Sequence, residues 1–108
     1  MYKISIKMEL KTKINQFENI SDWMRTNSLS FCEKSELESD FIIAKVFLVE
    51  DKEIVFEIVK NGCYFSFHVF RSEKCVLLID DKEKGMRVSG EIGIDEAIQK
   101  IKTHLMIN

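Results

Sequence analysis

The stretch Glu53–Phe70, EIVFEIVK-NG-CYFSFHVF, decides the fold. Two runs rich in β-branched and aromatic residues flank Asn61-Gly62. Both turn positions tolerate positive φ, which a two-residue type I′ turn demands, so the pair marks a β-hairpin. The turn also fixes the register: Lys60 opposes Cys63, Ile58 opposes Phe65, Phe56 opposes Phe67 and Ile54 opposes Val69. Every pair after the first is apolar on apolar, the kind of cross-strand contact that stabilises a sheet. A slip of one residue would turn the Phe row to water, so this row marks the core face. The opposite face then carries Val55, Glu57, Val59, Tyr64, Ser66, His68 and Phe70, a mixture of polar and apolar groups.

Toward the C-terminus, Ser72-Glu73 reads as a two-residue loop into a strand over Lys74–Asp80. A loop of two residues puts Val76 and Leu78 on the core face and Cys75, Leu77 and Ile79 on the mixed face; a longer loop moves this assignment. The charged run Asp80–Gly85 makes a turn, and Met86–Ile92 reads as a last strand with Gly90 as a bulge or bend. A helix follows. With Gly93 as N-cap, Glu96 falls at the third helical position and Ile92 staples onto Ala97. Ile94, Ala97, Ile98, Ile101 and Leu105 form one apolar stripe directed at the sheet.

Toward the N-terminus, Phe41–Glu50 is almost continuously apolar and suits a central strand covered on both faces. Asp51-Lys52 turns the chain into the hairpin. Met1–Leu10 alternates, with Ile4, Ile6, Met8 and Leu10 on one side, the pattern of a half-buried strand that can extend through Thr12 and Ile14. Ser21 caps a short helix that begins Asp22-Trp23-Met24 and ends at Thr26-Asn27-Ser28. Glu33–Asp40 is acidic and aperiodic, a loop or a single helical turn. The expected architecture is a single α+β domain over residues 1–108: an antiparallel β-meander of about five to six strands, with a short N-terminal helix and a C-terminal helix packed on the sheet.

Bulk properties narrow the function classes. With 45% apolar residues in 108, the chain has enough to bury one ordered core. A net charge of −2 does not suit a general nucleic-acid binder, which needs excess Lys and Arg to displace counterions. Three Cys without CxxC spacing fit buried thiols in a reducing compartment rather than a disulfide framework. The N-terminal residues lack the apolar core of a signal peptide, and the apolar runs fall short of the ~20 residues a membrane span needs. A cytoplasmic protein is expected.

The candidates for chemistry are few. Cys63 and His68 lie at odd spacing on one strand and face opposite ways. Cys75 and His68 share the mixed face, but no oxyanion-hole motif accompanies them. The two His and three Cys have no finger or ribbon spacing, and His104 suits a capping or solvated place near a helix C-terminus. No glycine-rich phosphate loop exists, and Asp80, Asp81 and Glu83 lack the spacing of a calcium loop. No catalytic residue, metal or cofactor is therefore expected, and the protein is read as not an enzyme. Tyr64, Phe65, Phe67 and Phe70 could suggest a base-stacking platform, but Phe65 and Phe67 fall on the core face. The acidic residues, Glu33, Glu36, Glu38 and Asp40 in one cluster and Glu50, Asp51 and Glu53 in another, serve solubility or steer a basic partner.

The Phe-rich hairpin Phe56–Phe70 around Asn61-Gly62, with the closing stretch VSGEIGIDEAI over residues 88–98, resembles small immunity proteins of bacterial toxin systems, including those of contact-dependent growth inhibition. The resemblance implies a cytoplasmic, non-enzymatic protein that binds one cognate toxin and occludes its active site, and the acidic clusters suit a basic toxin such as a nuclease. Aromatic anchors ringed by charge are what tight interfaces use, so the expected partner-binding residues are Glu33, Glu36, Asp40, Glu57, Tyr64, Ser66 and His68. No membrane contact is expected, and an unpaired edge strand offers a route to a homodimer. The alternative is a small nucleic-acid-binding domain using a stripe of Lys3, Lys7, Lys11 and Lys13 on the first strand and its extension.

Overall fold

The computed structural model describes residues 2–38 and 41–107. Its centre is the hairpin. Strands β2 (Glu53–Lys60) and β3 (Cys63–Phe70) pair antiparallel in the expected register, from Lys60 opposite Cys63 to Ile54 opposite Val69. Asn61 (φ 53°) and Gly62 (φ 76°) both lie in the left-handed region, as a type I′ turn requires. The α+β architecture follows: a five-stranded antiparallel meander in the order β1-β2-β3-β4-β5, with helices before and after it.

The other strands differ in detail. β4 (Lys74–Asp81) enters by a three-residue loop, Arg71–Glu73, in which Glu73 takes φ 66° without being glycine. The extra residue reverses the expected facing. Cys75, Leu77 and Ile79 oppose Val69, Phe67 and Phe65 and so share the core face, while Val76 and Leu78 point the other way. β5 (Gly85–Val88) is shorter than expected, and all four of its residues are exposed. Beyond it the chain stays tethered to β4: the Ser89 and Ile92 amides donate to the Leu77 and Cys75 carbonyls, and Ser89 Oγ accepts from the Leu77 amide at 2.8 Å. β1 (Lys45–Val49) is an edge strand rather than a central one. Phe41 and Ile43 are buried ahead of it in irregular chain, so the long apolar run serves two environments.

The N-terminal expectations need the largest correction. Met1–Leu10 is not a strand: α1 (Tyr2–Gln16) covers the described part of it, and Leu10, Ile14 and Phe17 meet the core at helical spacing. α2 (Asp22–Glu38) starts at the expected cap, where the Met24 amide donates to Ser21 Oγ at 3.1 Å, but it continues through Thr26-Asn27-Ser28. Asn27 Nδ2 donates to the Trp23 carbonyl one turn back, and Met24, Ser28, Phe31, Cys32 and Ser35 form a single buried stripe. Two serines stand where apolar residues would have revealed the period. Arg25 closes α1 by donating to the Ile14 and Phe17 carbonyls at 2.8 and 2.9 Å. The acidic segment from Glu33 is thus helical to Glu38, and Asp40 lies outside the described residues.

α3 (Ile94–Ile107) begins as expected, with Ala97 donating to the Gly93 carbonyl, and its stripe Ala97, Ile98 and Ile101 is buried. Phe31 of α2 stacks on Phe67 at 4.1 Å between centroids and tilts against Phe56 at 4.9 Å. The helices therefore lie on the Phe face of the sheet. No helix among the described residues is long and apolar enough to cross a membrane.

Candidate functional site

The face of the sheet away from the helices is the one the hairpin register marks as mixed. Strand pairing arranges it in rows. Lys45, Glu57, Ser66, Leu78 and Val88 lie side by side across the strands; Phe47, Val55, His68 and Val76 form the next row. Val59, Tyr64, Asp80 and Met86 flank the first row, and Val49, Glu53, Phe70 and Lys74 flank the second.

The polar residues at its centre hold one another. Tyr64 Oη donates to Glu57 Oε2 at 2.6 Å across the hairpin diagonal. Burial, then the hydrogen bond to Glu57 and its negative charge, push the Tyr64 hydroxyl up to about 12. His68 Nδ1 lies 2.6 Å from Glu53 Oε1, and its Nε2 lies 2.7 Å from Ser66 Oγ. A carboxylate only accepts, so Nδ1 donates to Glu53, while Nε2 and the Ser66 hydroxyl share the second hydrogen bond. His68 also stacks on Phe70, with centroids 6.0 Å apart. The face is thus a line of side chains already fixed in place, bordered by exposed Val59 (64%), Met86 (62%) and Val88 (62%).

Glu53–His68–Ser66 has the order of a hydrolase relay, but Ser66 is only 3% exposed. It sits on β3, whose backbone is paired with strands on both sides, so the neighbouring amides are spent in the ladder. Cys75 does not join His68. It opposes Val69 on the core face, and burial, then the charge of Glu91, raise its thiol to about 11.

Of the seven residues expected to bind a partner, Glu57, Tyr64, Ser66 and His68 come together on this face. Glu33 and Glu36 do not join them. They sit on α2, in the helix layer on the far side of the sheet, where Glu33 pairs with Lys11 at 3.8 Å. Glu53, which in the sequence reads as part of a turn cluster, joins the open-face residues through His68, and its even spacing from Glu57 is the signal that places it on this face. The Lys3–Lys13 stripe, drawn on a strand, falls on α1 instead. An open depression of about 570 Å³ lies at the start of α3, bordered by Glu73, Glu91, Asp95 and Glu96 together with Lys74.

A different constellation has no counterpart in the sequence pattern, which puts Asp81, at the end of β4, in a charged turn and His104 at a cap or in solvent. Instead, His104 Nε2 donates to Asp81 Oδ2 at 2.8 Å, and Cys63 Sγ lies 3.7 Å from the same oxygen. The other Asp81 oxygen accepts from the Glu83 and Lys84 amides at 2.8 and 3.3 Å. No family model, curated protein or solved structure matches the chain.

Proposed function

We propose that the protein is a non-catalytic binding module that docks one basic protein on the open face of its sheet, in the manner of an immunity protein neutralising a nuclease-type toxin. The observation that carries this reading is the uncovered face itself: a hydrogen-bonded centre of Glu53, Glu57, Tyr64, Ser66 and His68 between exposed Val59 on one side and Met86 and Val88 on the other. Side chains already held by neighbours lose little freedom on binding, which lowers the cost of association. Large apolar groups beside a polar centre supply the desolvated anchors that dominate interfaces. Glu53, Glu57 and Asp80 outnumber Lys45 and Lys74 on this face, and the negative balance favours a cationic partner and speeds encounter with it. The near-complete burial of Ser66 counts against a nucleophilic role for its hydroxyl.

The test is affinity capture of the tagged protein from its source cells at low and moderate salt. The expected result is one basic protein in stoichiometric amount, retained by the wild type and lost with Glu57→Ala/Tyr64→Ala. Nucleic acid in place of a protein, or equal recovery with both baits, would overturn the reading.

A further inference from the structure

We infer that Cys63, Asp81 and His104 form a binding site for a divalent cation of the zinc class, which clips the hairpin, the end of β4 and α3 together. The three residues come from three elements, more than fifteen positions apart, yet their donor atoms all lie within 4.8 Å of one another. In a tetrahedral zinc site, donors about 2.0–2.3 Å from the ion stand roughly 3.3–3.7 Å from each other. The separations from Asp81 Oδ2, 2.8 and 3.7 Å, bracket that spacing, and the sulfur–nitrogen pair lies within 4.8 Å, so an ion enters once the side chains draw together.

The chemistry of the donors agrees. A thiol, an imidazole and a carboxylate are the ligand types that zinc accepts, and a mixed set of this kind does not suit calcium or magnesium. Thiol and imidazole both present hydrogen to Asp81 Oδ2, so an ion there replaces the two bridging protons. For the neutral imidazole, the Cys63 proton leaves to solvent and the His104 proton moves from Nε2 to Nδ1. Thiolate and carboxylate then balance the two positive charges, which a buried site requires. The second carboxylate oxygen is already held by the Glu83 and Lys84 amides, an outer support that fixes the orientation of a ligating group. The side chains are narrowly open, Asp81 at 7% and His104 at 11%, which leaves an approach for the ion and a water as fourth ligand. The site lies on the helix side of the sheet and is independent of the docking face.

The experiment is titration of the chelator-treated, reduced full chain with cobalt(II) chloride, followed by displacement with zinc chloride. The expected result is a thiolate-to-cobalt charge-transfer band and tetrahedral d–d absorption that saturate at one equivalent and vanish on adding zinc. Cys63→Ser loses the charge-transfer band, His104→Gln loses saturation at one equivalent, and Cys32→Ser and Cys75→Ser keep both. Zinc, and not magnesium, raises the melting temperature of the wild type, a readout that needs no variant to fold. Absence of the band in the wild type together with no zinc-dependent shift in melting would overturn the site, as would a band that survives Cys63→Ser.

Discussion

The bond between Tyr64 and Glu57 gives the open face a titration that can be followed directly. With the hydroxyl raised to about 12, the neutral phenol is favoured in the fold. Its stabilising contribution is present below the ordinary value of 10 and lost as pH rises through 12. In a Tyr2→Phe background, ultraviolet titration of Tyr64 should show a midpoint near 12 that drops with Glu57→Gln; a midpoint near the ordinary value would mean that the pair does not form. Asp81 works in the opposite direction. The Glu83 amide first, and then His104, Lys84 and Cys63, lower its carboxyl from 3.8 to about 2. That contribution is complete above the ordinary value and is lost as pH falls through about 2. The urea midpoint of the wild type should therefore fall between pH 4 and pH 2 more steeply than that of Asp81→Asn. Parallel curves would show that Asp81 carries no such role. Single residues of this kind were only partly legible in the sequence. Tyr64 and Glu57 could be placed on one face by the hairpin register, because a strand alternates. Cys63, Asp81 and His104 could not be joined, because their meeting depends on how α3 crosses the sheet, and no local pattern encodes that crossing.

Among the elements, the hairpin was fully legible and its neighbours were not. Asn61-Gly62 fixes its register because few residues other than Asn and Gly reach positive φ cheaply. A Cβ on Gly62 would meet nothing within 4 Å, so Gly62→Ala tests backbone conformation alone. It should cost about 1 kcal/mol in chemical denaturation; no loss would show that the turn is not type I′. The three-residue loop before β4 left no such trace, since Glu73 enters the left-handed region without a glycine to announce it. α1 shows the limit of short apolar alternation. Ile4, Ile6, Met8 and Leu10 suit a strand as a local pattern, but Leu10, Ile14 and Phe17 serve as the contact row of a helix, closed by the Arg25 guanidinium. α2 hid its period behind Ser28 and Ser35. Its anchor is Phe31, fully buried against Phe56 and Phe67. Phe31→Ala should destabilise the domain by roughly 3–5 kcal/mol, as emptied aromatic sites in cores do. A loss below about 1 kcal/mol would mean that α2 does not pack on the hairpin as described.

At the scale of the molecule, the three helices among the described residues lie on one face of the five-stranded sheet, and no described element covers the other face. Its extents of 38 × 35 × 20 Å are those of a two-layer slab. The sequence pattern separated the two faces within the hairpin, but it mixed residues of both layers into one expected contact surface. Glu33 and Glu36 stand on the helix layer while Glu57, Tyr64, Ser66 and His68 stand on the open sheet. That division makes the central claim testable by position. The partner recovered by capture should be titrated against two folded variants, Glu57→Ala/Tyr64→Ala on the open face and Glu33→Lys/Glu36→Lys on α2, each checked for a native melting transition. The account predicts that affinity falls at least tenfold for the open-face variant, a loss of about 1.4 kcal/mol, and stays within twofold of wild type for the α2 variant. Loss of binding in the α2 variant with the open-face variant unchanged would contradict it.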